Sequence, residues 1–511
     1  MALLSLLPSD ALRPQTLALA ILAIIALTLL RATLFALLSP QRSVPGPLLA
    51  RFSRLWYLAQ ILRADFHTTN IALHARHGRI VRVAPNWFSI DDPAAIRTIY
   101  GHGTRFVKAP WYVASGDPDA HTDDIFSGRD PELHRLNRRK VASLYSMSML
   151  LKMEEAVDAT VRVMHARLRE MARHAEPVNL QRWMQCYALD TIGLITLNKR
   201  FGMLDAGEDA LGLIALTRSL FAYAAPVGVY PGVHAPLLRF LKRFRSHGRF
   251  VITAFSEAQI RKRREEIGKG KERVQGGDDF LAKILALHDA DPTTFTWDDV
   301  INTINANVAA GSDTTSISLA AVLGGLAGNP DALAKLRAEL DAAARTGAIA
   351  DPITFAQAQT LPYLQAVVQE GLRVHPAVGL PLWRVVPRGG AELCGRFFKE
   401  GDVVGVNPWV AHANKAVFGP DAHLFRPERW LLCEKEQRQK MDRYSLEFGH
   451  GSRTCIGKNI SLMEMLKLVP QIVRRFDVEL VQRPGGEGVR LCNQWFVYQE
   501  DMMVRVSERG K

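Results

Sequence analysis

From Thr296 to Gly328 the chain reads as one uninterrupted helix. Thr296, with Asp299 three residues on, makes a capping-box start, and apolar residues continue until Gly328-Asn329-Pro330 stops the run. About 33 residues at 1.5 Å rise span on the order of 50 Å, as far as a domain is wide. A helix of that length crosses a core, and the remaining elements must pack around it. Within it lies Ala310-Gly311-Ser312-Asp313-Thr314-Thr315. Glycine beside Ser and Thr weakens the i→i−4 ladder, which predicts a widened or kinked turn here. Such a turn admits water and presents a hydroxyl beside a carboxylate, an arrangement suited to proton delivery. A cluster of small residues at a helix crossing, with Asp313 in a salt bridge, is the other reading of the same segment.

A second signal is Phe448-Gly449-His450-Gly451-Ser452-Arg453-Thr454-Cys455-Ile456-Gly457, which presents one cysteine just before an apolar helix. Its glycines let backbone approach a flat cofactor, and the following helix N-terminus favours thiolate over thiol. A cysteine so framed suits axial ligation of haem iron, with Arg453 near enough in sequence to pair with a propionate. A buried structural cysteine beside a tight turn is the alternative. Cys186, Cys394, Cys433, Cys455 and Cys492 are odd in number and carry no C-x-x-C spacing, which argues against a disulfide scaffold or zinc site and fits a reducing compartment.

Between Pro14 and Leu30 there is no charge. Arg31 interrupts the apolar run, which resumes to Leu38, so Thr16–Leu38 is long enough to span a bilayer if Arg31 reaches the interface. The run is too long for a signal peptide and lacks a basic segment ahead of it. Arg31, Arg42, Arg51 and Arg54 follow or flank its end while only Arg13 precedes it, which predicts a cytosolic body. The expected layout is a lumenal segment 1–15, an anchor 16–38, a Pro-rich hinge 39–50 around Pro45-Gly46-Pro47, and one catalytic domain 51–511. A chain that is 48% hydrophobic and 23% charged is globular, and the absence of repeats or linkers after residue 50 favours a single large domain. The net charge of +13 is spread along the chain without aromatic interleaving, so membrane lipid and an acidic protein partner are expected rather than nucleic acid.

Gly78–Pro85 and Asn86–Ile90 read as two strands joined by a turn, and Asp92-Pro93 starts a helix through Tyr100. Phe221–Pro236 is an uncharged loop broken by Gly and Pro, read equally as core or as a bilayer contact. Gly268–Asp279 reads as a solvated loop. Val403–Val406 is a short strand, and the fold class is mainly α with a minor β part. Glu370 and Arg373 lie three apart on one helix face, where they can pair.

These motifs together resemble the cytochrome P450 family. The pattern Phe-x-x-Gly-x-Arg-x-Cys-x-Gly is similar to its haem-binding signature, and Ala310–Thr315 is similar to its Ala/Gly-Gly-x-Asp/Glu-Thr motif. Glu370-x-x-Arg373 and Phe425-Arg426-Pro427-Glu428-Arg429-Trp430 follow in the family's order, with Trp430 where phenylalanine is usual. The likeness covers essentially residues 45–505. A narrower likeness to filamentous-fungal pisatin demethylase-like members rests on Gly78–Arg82, Phe106–Tyr112 and Tyr145–Leu151.

The resemblance implies the cytochrome P450 fold behind a single transmembrane helix, and haem b with Cys455 as axial iron ligand. Phe448, Gly449 and Gly457 would shape the cysteine loop, and Ala310 and Gly311 would leave room over the haem. Asp313 and Thr314 would be the proton-relay acid and alcohol. Arg453, Arg384, Arg138 and His134 are the candidates for propionate contact, the last two from a His134-x-x-x-Arg138 version of the family's Trp-x-x-x-Arg. Glu370, Arg373 and Arg429 would form a buried structural triad. Lys140, Lys458 and Lys467 would flank the sulfur side as a docking face. The implied activity is monooxygenation of an apolar small molecule of fungal secondary-metabolite type at the endoplasmic reticulum membrane. Electrons would come from NADPH through a separate NADPH–cytochrome P450 reductase, with cytochrome b5 an optional second donor. The expected pocket draws on Trp111, Tyr112, Phe221–Val229, Ala306, Ala310 and Val378–Leu382. A haem-thiolate isomerase or dehydratase, and a non-enzymatic membrane haem carrier or sensor, are the rival readings. The intact Asp313-Thr314 pair argues against both.

Overall fold

The computed structural model describes residues 14–120, 124–244, 248–268, 280–481 and 488–510. Residues 1–13 of the expected lumenal segment and 269–279 of the expected solvated loop lie outside them. Trp297–Ala327 is one α-helix of 31 residues, about 46 Å long at 1.5 Å per residue. The Thr296 hydroxyl caps the Asp299 N–H, and the Asp299 carboxylate returns a bond to the Thr296 N–H. Past Gly328 the helix Pro330–Arg345 leaves at 102°. The long helix packs against Leu180–Leu197, Pro362–Val374 and Lys458–Arg475. Val308, Leu319 and Leu323 share one buried core with Tyr187, Ile192, Leu466 and Ile472. Removal of that apolar surface from water is the main stabilising term.

The widened turn expected at Ala310–Thr315 is corrected to continuous helix. The Ser312 hydroxyl donates to the Val308 carbonyl at 3.1 Å, and the Thr314 hydroxyl to the Ala310 carbonyl at 2.8 Å. Back-bonding to the preceding turn occupies the hydroxyls without breaking the ladder.

Strands Ile80–Ala84 and Trp87–Ile90 pair antiparallel, and Trp87–Ile90 runs parallel to Val403–Gly405. Val403–Gly405 pairs with Arg384–Val385, which pairs with Val107–Lys108 at the sheet edge. That register sets Lys108 directly opposite Arg384. Like charges so placed are destabilising unless an anion lies between them. At the C-terminus, Arg490–Gln494 and Phe496–Glu500 form a hairpin, with Trp495 at the turn in the left-handed region.

The uncharged segment Phe221–Pro236, expected as a loop, is helical at both ends, in Leu213–Val227 and again from Pro231 into His234–Lys242. Leu213–Val227 is one helix with Pro226 one residue from its end, where few ladder bonds remain to be lost. Phe221, Ala224, Ala225 and Val229 are buried, and the Trp111 indole donates to the Ala225 carbonyl at 3.0 Å. These residues are core, while Val233 beyond them is exposed.

At the N-terminus Pro14–Leu38 is one helix of 25 residues, exposed along its apolar window and begun by proline two residues before the expected Thr16. The elbow after it is sewn to the sheet. The Arg82 N–H donates to the Pro45 carbonyl at 2.8 Å, and a Cβ on Gly46 would fall 2.3 Å from the Arg82 carbonyl oxygen.

Candidate functional site

The cysteine loop is held by its own backbone. The Cys455 N–H donates to the Phe448 carbonyl at 2.7 Å, and the Thr454 hydroxyl donates to the same oxygen at 3.1 Å. Gly449 and Gly451 take φ of +70° and +63°. A Cβ on Gly451 would sit 1.9 Å from the Tyr100 carbonyl oxygen, so this position excludes every other residue. Cys455 is exposed at its side chain, yet protein surrounds its sulfur densely enough that burial pushes the thiol up. A residue both accessible and desolvated faces an internal recess rather than bulk water. The N–H groups of Gly457 and Lys458, with the charges of Arg138 and Lys458, oppose that shift without outweighing it. A metal at the sulfur reverses the balance, because a coordinated thiol is deprotonated.

Behind the loop, Glu370 joins Arg373 and Arg429. Arg373 forks onto the Glu370 carboxylate at 2.7 and 2.8 Å, and Arg429 Nε donates to Glu370 Oε1 at 2.9 Å. All three side chains are at most 2% exposed. Trp430, the departure from phenylalanine, donates its indole N–H to Glu370 Oε2 at 2.8 Å. His412 carries this cluster to the cysteine loop. Its Nδ1–H donates to the Arg373 carbonyl at 3.0 Å, and its Nε2 accepts the Leu446 N–H at 2.8 Å. Burial and the Arg373 charge push His412 down to about 3, which keeps the accepting lone pair free.

Arg453, Arg384, Arg138 and Lys108 form a cluster of cations near the cysteine loop. Arg453 donates to the Gly128 carbonyl at 2.8 Å, and Arg384 donates to the Trp383 carbonyl at 2.9 Å while lying over the rings of Tyr100 and Tyr112. Lys108 is buried, with its ammonium 4.3 and 4.4 Å from the ring centroids of Tyr112 and Phe126. Burial lowers Lys108 well below its usual range, and Arg384 and Arg453 lower it further. Burial, then Arg384 and Arg138, brings Arg453 down to about 10. His134 is buried and driven to about 3 by burial and then by Arg453, Arg138, Lys108 and Arg384. It is therefore neutral and able to donate one hydrogen bond. Cations that depress one another form a binding site for a dianion, and this donor set fits the two propionates of haem b. The sequence reading missed Lys108, because its place here comes from strand register rather than from a local motif.

On the long helix Ala310 is exposed although the turns beside it are buried, and Ala306, Ala309 and Thr314 are half-buried on the same side. The helix thus turns a strip of small residues toward a recess. Gly311 does not belong to that strip. Its missing Cβ would meet Ile192 at 3.1 Å, so it serves helix packing and the expected role over the cofactor is corrected. Asp313 is fully buried. It accepts from Gln185 at 2.5 Å, Tyr498 at 2.8 Å and Thr217 at 3.4 Å. Burial pushes its carboxyl up to about 6 against those hydrogen bonds and the Arg218 charge. Asp313 and Thr314, adjacent in sequence, point about 100° apart around the helix.

The docking lysines divide. Lys467 is 1% exposed and bonded to Glu154, Asp158 and the Ile353 carbonyl, so it leaves the expected face. Lys140 pairs with Asp299 at 2.8 Å, and Lys458 stays exposed with its ammonium 5.3 Å from the Phe448 ring. Among the expected pocket residues Trp111 stacks on Trp495 at 3.9 Å, and Tyr112, Phe126 and Phe221 surround Trp495. Trp495 gave no sequence signal beyond being one tryptophan in a strand pattern.

Comparisons with known proteins show the family and the likeness of fold. The sequence profile of the cytochrome P450 family matches residues 45–488. A pisatin demethylase of Fusarium vanettenii is 39% identical over 463 residues, covering 90% of this chain and 88% of that protein. A cytochrome P450 monooxygenase of Aspergillus terreus is 36% identical over 460 residues, covering 86% and 92%. A crystal structure of a cytochrome P450 superposes with a TM-score of 0.73 at 24% identity, over 91% of this chain and 98% of that one, which establishes the likeness of fold.

Proposed function

Because this chain belongs to the cytochrome P450 family and is a P450 monooxygenase, we propose that it is a membrane-anchored enzyme of fungal secondary metabolism. It inserts one oxygen atom of O2 into an apolar small molecule. The observation that carries this reading is the recess that Cys455 faces. The charges of Arg138 and Lys458 act on its sulfur, Arg384 and Arg138 act on Arg453, Arg384 and Arg453 act on Lys108, and the long helix leaves Ala310 exposed. Haem b bound there supplies dioxygen activation at a thiolate-ligated iron, where the thiolate favours O–O cleavage. Cys455 is the proposed ligand, and Phe448, Gly449 and Gly457 hold its loop. The cations and the neutral His134 hold the propionates, while Ala310 keeps side-chain bulk away from the recess. Thr314 presents its hydroxyl there, and Asp313 is the nearby acid that supplies protons. Glu370, Arg373 and Arg429 keep the loop in place for cofactor uptake.

Residues 16–38 are the proposed anchor, 39–50 the hinge, and 51–511 the cytosolic domain on the endoplasmic reticulum. The exposed apolar helix Pro14–Leu38 supports this layout. NADPH–cytochrome P450 reductase, with cytochrome b5 as an optional donor, is the proposed electron source. Exposed Lys458, whose charge acts on the Cys455 sulfur, supports an acidic partner there. The test is the carbon monoxide difference spectrum of reduced protein, followed by turnover with reductase and fungal extracts. A thiolate-type band lost in Cys455→Ser is expected, and a Soret band of histidine type in the intact protein overturns the assignment.

A further inference from the structure

The apolar helix Pro14–Leu38 meets the body at its C-terminal end. Leu27, Leu30, Arg31, Leu34, Phe35 and Leu38 recur every three or four residues, so they share one face of that helix. With Ser39, Pro40 and Lys399, this face lines an open groove of about 480 Å³. From Leu27 to Leu38 the groove follows about 16 Å of helix at 1.5 Å per residue. Lys399 comes from the turn after the hairpin Ala391–Leu393 and Arg396–Phe398, and its ammonium lies 5.2 Å from the Phe35 ring centroid. The joint is fixed. Ser39, Gln41 and Val44 are buried, the Gln41 amide donates to the Phe397 carbonyl at 2.5 Å, and Arg396 donates to the Ser43 hydroxyl at 2.9 Å. Arg82 bonds the Gln41 carbonyl from the sheet, so the elbow preforms the groove. Its surroundings are cationic. Burial and then Arg51 bring Arg82 down to about 10, with Asp402 opposing and Arg396 adding to the shift. Asp402 is buried and accepts the Lys399 N–H at 3.2 Å. Against Asp402, Glu392 and Glu400, the helix, elbow and hairpin set Arg31, Arg42, Arg51, Arg82, Arg396 and Lys399, which leaves a surplus of positive charge.

We propose that this joint is a binding site for one anionic phospholipid of the cytosolic leaflet: its phosphate sits between Arg31 and Lys399, and an acyl chain lies along Leu27, Leu30 and Leu34. The inference rests on the reading of Pro14–Leu38 as a membrane anchor. Charge complementarity selects the occupant. An arginine within an apolar span is costly unless it is paired, and Pro14–Leu38 contains no acidic residue to pair with it. Arg31 lies one turn before Phe35, a distance that its long side chain spans toward the headgroup level. Lys399 stands at Phe35 from the side of the body, so a phosphate there is held by the anchor and by the hairpin together. The lipid then ties the two, and the angle at which the body sits on the bilayer depends on it.

The test places full-length holoprotein in nanodiscs of phosphatidylcholine with a minor fraction of phosphatidylserine. Native mass spectrometry should find one phosphatidylserine retained per chain in preference to the more abundant phosphatidylcholine. Lys399→Gln should lower that preference about five-fold, the scale of one basic residue at an anionic surface. Arg42→Gln removes an exposed charge from the same elbow but outside the groove lining, and should lower it far less. Leu34→Trp fills the groove without changing charge, and should also reduce the retained lipid. Phosphatidylserine with a photoreactive acyl chain should label the face from Leu27 to Leu38. Equal losses in Lys399→Gln and Arg42→Gln overturn the site in favour of diffuse surface attraction, as does retention that ignores the headgroup. Label spread evenly around the helix, or cross-links through that face between two copies of the chain, overturn the occupant. A chain that stays out of the discs overturns the anchor reading itself. An embedded chain with an intact thiolate spectrum and no selectively held lipid overturns the site alone.

Discussion

Lys108 and His412 owe their places to distant partners: strand register sets Lys108 opposite Arg384, and the fold sets His412 between Arg373 and Leu446. Neither carries a local pattern such as the one around Cys455, and Glu370-x-x-Arg373 reads as part of a triad only through the family resemblance. Lys108 and His412 each support a prediction. Lys108→Met removes one of several mutually repelling cations, so the apoprotein should melt no lower than wild type. The holoprotein should release haem about ten-fold faster, the scale of one charge-assisted hydrogen bond, and its reduction potential should fall. Haem transfer to apomyoglobin and potentiometry measure the two effects. His412 has a folded pKa of about 3 against about 6.5 unfolded. Its contribution is therefore complete above pH 6.5 and lost as pH falls toward 3, because the unfolded chain binds the proton first. Relative to His412→Gln, wild type should lose about 2 kcal/mol between pH 7 and pH 5, read from denaturant midpoints at both values.

At the level of elements, periodicity and caps located the long helix to within a residue or two at both ends, and turn residues located the first hairpin and the Pro93–Tyr100 helix. Leu213–Val227 was misread because Pro226 and the glycines after it look like punctuation. Burial of Phe221 and Ala224 against Trp111 outweighs that signal, and a single sequence does not display such packing. The opened turn at Ala310–Thr315 failed for a related reason: hydroxyls that can disturb a ladder can also bond back to it. The cysteine loop gives this scale its prediction. Gly451→Ala must clear the Tyr100 carbonyl and hold a left-handed backbone, which costs more than about 2 kcal/mol. Most of the purified variant should lack the thiolate spectral form while retaining its far-ultraviolet helical signal.

For the whole molecule, the arrangement is one body around a single crossing helix, with an apolar helix outside it. The class was legible because one long helix leaves few ways to pack the rest, whereas the mixed sheet was not, since its strands are two to five residues long and paired across most of the chain. Removing residues 1–38 takes away a helix that is exposed along its length, so the remainder should keep its thiolate spectrum. Its partition onto liposomes in flotation assays should fall at least ten-fold. A truncated protein that loses haem binding would show that the body depends on the segment.

The recess is assembled from positions as distant as Lys108 and Cys455, and this has a consequence for biosynthesis. A ribosome delivers Lys108, His134 and Arg138 long before Arg384, Arg453 and the sulfur. Until the cysteine loop emerges, the nascent chain holds only part of the cation set and no thiolate ligand for iron. Cofactor capture is therefore a late event, after the body is nearly complete, and a chaperone that shields the early half would act before haem is ever bound.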